Sequence, residues 1–304
     1  MKNIRCLNLI WILILLTSAC GGKPALDSGT SFDSTQGKPD SVVLASTTFL
    51  ADIARNVAGG RVAVESLLPV GVDPHSYQPT PQDLVKLTEA DLIIFNGAGY
   101  ETFQRILIEN SGNKGVVIEA AAGLQSRTEA LDPHFWLDPN NVITYVENIR
   151  EGLTHFDPNG AAVYKSNAEA YVAELKNLDA WIVEQVDQIP AEKRLLVTDH
   201  EALGYFAERY GFSIVGTVIE SFSTDASPSA QQMAGLIDQI NSSGAPAIFL
   251  DASDNTALAQ QIADETGVRV VTDLHLESLT DGAPAGTYID MMKHNVTQIV
   301  NALK

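Results

Sequence analysis

Cysteine is nearly absent: the 304-residue chain has two, Cys6 and Cys20. Cys6 falls within an N-terminal leader, so Cys20 stands alone in the mature chain and no disulfide can form within it. Basic residues are also scarce, with 19 Lys and Arg against 38 Asp and Glu and a formal net charge of -19. That balance disfavours nucleic acid and anionic lipid as partners and suits cations. No apolar run reaches the about 20 residues that a membrane-spanning helix requires. Repeats, low-complexity adhesive tracts and coiled-coil heptads are missing, which leaves a surface adhesin without positive support. HExxH and GxSxG, the marks of two common hydrolase classes, do not occur.

What is present begins with an export pattern. Lys2 and Arg5 precede an apolar stretch over residues 7–16, and Thr17, Ser18 and Ala19 follow. This predicts a secretory signal peptide over residues 1–19. Cys20, followed by Gly21 and Gly22, is the expected lipid-attachment site of a lipoprotein, although Thr17 stands where such a site usually has leucine. One acyl chain holds a membrane only marginally, so stable anchoring requires more than one. Residues 20–40 are rich in Ser, Gly, Asp, Lys and Pro and read as a lipid-anchored flexible tether, because so few large apolar groups cannot offset the entropy of ordering.

Beyond the tether, β-branched apolar runs alternate with segments of helical periodicity: strands over residues 41–46, 62–69, 91–96 and 116–119, and helices over 49–58, 81–89 and 100–110. Alternation of this kind is the pattern of parallel βα units. From Pro158 to Gln188 the apolar residues Val163, Tyr164, Tyr171, Leu175, Leu178, Trp181 and Ile182 fall mainly three, four and seven apart, which predicts one long amphipathic helix. Pro158 suits its first turn and Pro190 ends it. The alternation then restarts with strands over 194–198, 214–217, 247–250 and 268–272. The expected fold is α/β: two (βα) lobes with parallel sheets, over residues 41–157 and 190–304, joined by one backbone helix over 158–189.

Candidate ligands sit in the connections after strands, where open α/β sheets bind ligands. His75 lies in GVDPHSYQPTPQD, His134 in LDPHFWLDP, His200 in VTDHEALGYF, and Asp273 in VVTDLHLESL. Singly, each is as compatible with a hydrogen bond to its own loop. Two Asp-Pro-His tripeptides shift that balance, since a rigid proline before a histidine restricts the backbone from which the imidazole projects. Three imidazoles and one carboxylate form a donor set suited to a borderline cation such as zinc. Four protein ligands also close a tetrahedral site, whereas a catalytic zinc of a secreted hydrolase keeps one position open. A dinucleotide-binding enzyme is a poorer match: Gly97 and Gly99 fit its fingerprint, but Thr102 occupies the position of the third glycine.

The segments LLPVGVDPHSYQPTPQDLVKL, DLIIFNGAGYE, DPHFWLDPNN, TDHEALGYFAERYGF, DASPSAQQMAGLIDQI, AIFLDAS, ETGVRVV and GTYIDMMKHNVTQIVNAL resemble bacterial solute-binding protein family 9, the zinc and manganese receptors of ABC importers, across nearly the whole mature length. The resemblance implies a membrane-anchored receptor at an extracytoplasmic or periplasmic face. Such a receptor is monomeric, is not an enzyme, and passes a divalent metal to an ABC importer permease from a cleft between two lobes. Carried over residue by residue, the metal ligands are His75 and His134 from the first lobe and His200 and Asp273 from the second. A histidine at the third position resembles the zinc type, so Zn2+ is the expected cargo and Mn2+ the alternative; the long His-rich loop frequent in zinc receptors is absent. His275, two residues from Asp273, is an alternate ligand if the chain stays extended. Glu101 and Glu220 are candidates for orienting imidazole N–H groups. His155 and His294 read as surface or capping residues.

Overall fold

The structure, a computed structural model, describes residues 41–103, 112 and 115–304. The leader, Cys20 and the tether lie outside the described residues, as does most of the helix expected over 100–110.

The first four strands are β1 (Val42–Ala45), β2 (Ala63–Ser66), β3 (Leu92–Phe95) and β4 (Val116–Glu119), in the order β2-β1-β3-β4. All neighbours run parallel, with Val43 opposite both Val64 and Leu92. The second sheet repeats this plan with β5 (Leu195–Thr198), β6 (Ser213–Thr217), β7 (Ala247–Asp251) and β8 (Arg269–Leu274) in the order β6-β5-β7-β8, again parallel. The central strands β3 and β7 are buried along their whole length, as expected of parallel strands covered on both faces.

Helix ends follow their local chemistry. The α1 helix (Thr48–Ala58) starts at Thr47, whose hydroxyl accepts from the Leu50 N–H, and stops at Gly59 with φ +61°. The left-handed φ favours glycine, and a Cβ there would lie 2.2 Å from Asn167 Nδ2 and push that side chain from its hydrogen bond to the Val57 carbonyl. The α2 helix (Pro81–Glu89) begins with a reciprocal Thr80–Asp83 capping box and Pro81 in its first turn.

The α3 helix (Pro139–Phe156) has no counterpart among the elements expected from the sequence. Its β-branched residues and Gly152 weaken helix propensity by no more than about 5 kcal/mol in all. Burial of Val142, Val146, Ile149 and Leu153 contributes roughly 6–12 kcal/mol gross, and packing therefore decides. His155 lies exposed in its last turn.

A 3-10 turn at Pro158–Gly160 leads into α4 (Ala161–Val186), whose buried residues Tyr164, Ala168, Tyr171, Leu175, Leu178, Ile182 and Val186 form one stripe at spacings of three and four. This helix packs along α3 and touches α1 and the C-terminal helix α8 (Tyr288–Leu303). The shorter helices α5 (Gly204–Tyr210), α6 (Ala230–Ser243) and α7 (Thr256–Thr266) flank the second sheet. One apolar cluster runs without a break from Phe49 and Leu92 through Trp136 and Tyr171 to Leu196, Phe206 and Ile299, so the two sheets share a core.

Candidate metal centre

Four connections at the C-terminal ends of strands converge. Both Asp-Pro-His tripeptides form Asx turns: the His75 N–H donates to Asp73 Oδ1 at 2.8 Å and the His134 N–H donates to Asp132 Oδ1 at 3.0 Å. The proline between them fixes one backbone angle, so each imidazole leaves its turn in a set direction. His200 follows β5, where its carbonyl accepts from Thr198 Oγ1 at 2.7 Å. Glu277 follows β8, and its neighbour Leu276 is pinned on both sides. The Leu276 N–H donates to Asp251 Oδ2 at 2.5 Å, and its carbonyl accepts from Trp136 Nε1 at 2.7 Å.

The three imidazoles form a near-equilateral triangle, with ring centroids 5.5 Å (His75 to His134), 5.5 Å (His75 to His200) and 5.3 Å (His134 to His200) apart. Glu277 Oε1 faces all three, 3.0 Å from His75 Nε2, 3.2 Å from His200 Nε2 and 3.4 Å from His134 Nε2. All four side chains are buried. Tyr100 meets His75 edge-on at 5.0 Å, and Trp136 lies 5.2 Å from His134, giving the site an aromatic wall.

His134 carries the decisive detail. Its Nδ1 lies 2.9 Å from Asp132 Oδ1, and a carboxylate can only accept, so the imidazole proton sits on Nδ1. Nε2 then presents a lone pair toward the Glu277 carboxylate. Despite the 3.4 Å approach it makes no hydrogen bond, a buried polar atom without a partner. Two acceptors facing each other in a buried space are unfavourable unless a cation lies between them. His75 Nε2, His134 Nε2, His200 Nε2 and the Glu277 carboxylate are close enough together to share one.

Electrostatics favour a charged centre. Burial works to raise the Glu277 carboxyl, but His75 and His200, whose Nε2 atoms lie 3.0 and 3.2 Å from it, hold it well below the usual carboxylate range. Burial likewise works to lower His200, yet Asp199 and Glu277 hold it up at about 10. Without a bound cation, His200 and Glu277 would form an internal ion pair, and a metal ion would supply the positive charge that the imidazole proton otherwise provides.

Asp132 is positioned in turn by Arg127, whose Nε donates to Asp132 Oδ2 at 2.5 Å. The Arg127 guanidinium spans the Tyr205 and Phe222 rings at 5.8 and 5.9 Å. Groups that orient a ligating histidine typically contribute 10–100-fold to metal affinity. Asp132→Asn is accordingly expected to weaken metal binding by about that factor, with the fold intact by circular dichroism. An unchanged affinity in a chelator competition assay would show that Asp132 does not orient His134.

The structure brings His75, His134 and His200 together but leaves Asp273 out. The strand β8 runs to Leu274, further than the apolar run suggests, so Asp273 is still a strand residue with an exposed side chain. Its carboxylate accepts from Gln298 Nε2 at 3.2 Å and lies 3.3 Å from His294 Nε2, on the outer side of α8. Glu277, four residues on, takes the place expected of Asp273; in the sequence LHLESL it is the first carboxylate after the strand. His275 lies beside Asp273 and not in the buried cluster, and His294 joins it there. Glu101 accepts from Ser46 Oγ at 2.6 Å and from the Asn96 and Gly97 N–H groups at 2.7 and 3.2 Å, so its hydrogen bonds tie strand ends together and none goes to an imidazole. Burial raises its pKa above the ordinary value. Glu220 is exposed and accepts from Gln232 Nε2 at 2.9 Å. The carboxylates that do hold these loops stand two residues before each histidine in the repeated tripeptide: Asp132 accepts from the His134 Nδ1–H and backbone N–H, and Asp73 accepts from the His75 backbone N–H.

Known proteins resemble this chain over most of its length. A family profile described as zinc-uptake complex component A, periplasmic, matches residues 43–302. The manganese-binding lipoprotein MntA of Halalkalibacterium halodurans is 35% identical over 308 residues, covering 100% of this chain and 99% of that protein. The manganese ABC transporter substrate-binding lipoprotein PsaA of Streptococcus pneumoniae is 31% identical over 319 residues, covering 100% of this chain and 99% of its own length. Among solved structures, the periplasmic zinc binding protein TroA from Treponema pallidum superposes with a TM-score of 0.81 at 32% identity, covering 88% of this chain and 99% of that one.

Proposed function

The chain belongs to the zinc-uptake complex component A family of extracytoplasmic metal-binding receptors, and from that membership we propose that it captures zinc and passes it to the permease of an ABC importer. The observation that carries the reading is the convergence of three Nε2 atoms and one carboxylate on a single buried space, with His134 Nε2 left without a hydrogen-bond partner. His75, His134, His200 and Glu277 are the proposed ligands. A set dominated by imidazole suits zinc, whereas manganese is better served by oxygen-rich sites. Four protein ligands leave no open position for a reacting water, which supports carrying the ion and not catalysis on it. Manganese is the second reading, favoured by relatives whose names state manganese.

Delivery follows from the placement of ligands. His75 and His134 project from the first sheet and His200 and Glu277 from the second, so binding couples the ion to the relation between the lobes. The shared core and α4 resist wide closure. Small lobe shifts with ordering of the ligand loops are expected, and a large difference between the scattering profiles of empty and loaded protein would exclude them. Relatives named as lipoproteins support anchoring at Cys20, and release of a Cys20→Ala variant from membranes tests it.

The deciding experiment is metal content by elemental mass spectrometry. Metal-stripped protein is dialysed against equimolar zinc and manganese, with free metal held low by a chelator buffer. One zinc per chain supports the cargo assignment. Manganese in its place overturns the cargo but keeps the receptor, and no bound metal removes the proposed function.

A further inference from the structure

The far end of β8 and the outer face of α8 hold a second set of metal-binding side chains. Asp273, His275 and His294 each offer one ligand atom, and those atoms lie within 4.8 Å of one another. The two imidazole rings are 5.3 Å apart between centroids. His275 Nε2 lies 3.8 Å from Asp273 Oδ1, and His294 Nε2 lies 3.3 Å from Asp273 Oδ2. We propose that Asp273, His275 and His294 form a second, solvent-facing site for a divalent transition-metal ion, independent of the buried cluster and weaker than it.

Three features mark this as a built arrangement. Asn295 clamps the His275 backbone to α8 from both sides: its Oδ1 accepts from the His275 N–H at 2.8 Å and its Nδ2 donates to the His275 carbonyl at 2.6 Å. The spacing between strand end and helix is thereby set, and with it the separation of His275 from His294. Gln298, one helical turn beyond His294, donates to Asp273 Oδ2 at 3.2 Å and steadies the carboxylate. Both imidazoles are largely buried, at 12% and 13% side-chain exposure, while Asp273 at 59% faces solvent. A pair of fixed nitrogens with one open, carboxylate-bearing side is a three-ligand donor set that leaves room for water.

The chemistry names the ligand class. Two imidazoles and one carboxylate suit zinc, copper or nickel better than calcium or magnesium. His294 Nε2 lies 2.7 Å from the Asp273 carbonyl oxygen and donates its proton there. An ion takes that position when the proton shifts to Nδ1, freeing the Nε2 lone pair; the imidazole stays neutral and no charge is lost. Exposure of Asp273 and loss of that hydrogen bond place the affinity below that of the buried site, where all four side chains are shielded. The sites also share a chain segment: residues 273–277 carry Asp273 and His275 outward and Glu277 inward.

The test is a zinc titration of the whole metal-stripped protein by isothermal calorimetry, followed through the second equivalent. Wild-type protein is expected to take up one tight and one weaker equivalent. His294→Gln and Asp273→Asn are each expected to weaken the second equivalent by roughly tenfold or more while leaving the first unchanged, since a lost ligand acts at least as strongly as a lost orienting group. Retention of the tight equivalent also reports that each variant folds. Uptake of a single equivalent by the wild type overturns the proposal, as does a second equivalent that both folded variants bind as well as wild type does. Failure of the tight site in the wild type bears instead on the receptor reading and leaves the surface site to be judged on its own zinc uptake.

Discussion

Glu277→Ala is expected to lower affinity for the cargo ion at least a hundredfold, whereas Asp273→Ala leaves it within about a factor of two at low free metal. The contrast follows from where each carboxylate sits. Glu277 is buried among three imidazoles, and its Oε1 lies within 3.4 Å of every Nε2. Removing one partner from such a buried charged set costs about 3–5 kcal/mol, and 3 kcal/mol is already two decades in an equilibrium constant. Asp273 is exposed and faces α8, so its loss leaves the buried donor set untouched. Competition against a fluorescent zinc chelator measures both variants. An unchanged affinity in Glu277→Ala would mean that the buried carboxylate is not a ligand, and a loss confined to Asp273→Ala would restore the ligand set first expected from the sequence.

The exchange of Asp273 for Glu277 in the buried cluster shows what the sequence makes legible and what it hides. The repeated Asp-Pro-His tripeptide points to His75 and His134 because the Asx turn is local: its acceptor, proline and imidazole all lie within three residues. His200 is legible for a similar reason, since an apolar strand ends directly before it. The fourth member of the buried cluster depends on where β8 stops. An exposed edge strand continues through polar Thr272 and Asp273 because pairing with β7 holds it, as far as Leu274 opposite Asp251, and no hydrophobic pattern marks that extension. The α3 helix is hidden by the same logic: shared burial against α4 and the first sheet outweighs β-branched residues that locally favour a strand. The long α4 helix is visible because its apolar stripe, from Tyr164 to Val186, repeats over about six turns without interruption. Arg127 and Asp132 lie five residues apart in a loop and bond directly, but the loop that brings them together is braced by Tyr205 of the opposite lobe, whose hydroxyl accepts from the Arg127 N–H at 3.3 Å and donates to the Asp132 carbonyl at 3.0 Å. No local spacing encodes such a contact.

Zinc binding is expected to release about one proton near pH 8, and affinity is expected to rise about tenfold per pH unit from about pH 7 to about pH 9. The proton belongs to His200. An imidazole at its ordinary value of about 6.5 is already neutral at pH 8, and a site of three such groups would show a flat affinity there. In the empty protein burial works to lower His200, but Asp199 and Glu277 outweigh it and hold the group at about 10. The ion must therefore displace a proton that Glu277 is holding in the same space, and each unit of rising pH removes about 1.4 kcal/mol of that competition. The sign for the empty protein is opposite. A histidine raised in the folded state contributes stability that is fully present below about 6.5 and is lost as pH climbs through about 10. The depressed Glu277 contributes stability that is present above its unfolded value and is lost as pH falls through the folded one. The gap in melting temperature between loaded and empty protein should accordingly widen as pH rises from 7 to 9. Calorimetry in two buffers of different ionisation enthalpy counts the protons directly. Zero release at pH 8, together with an affinity constant from pH 7.5 to 9, would show that His200 enters the site already neutral and that the internal ion pair does not exist.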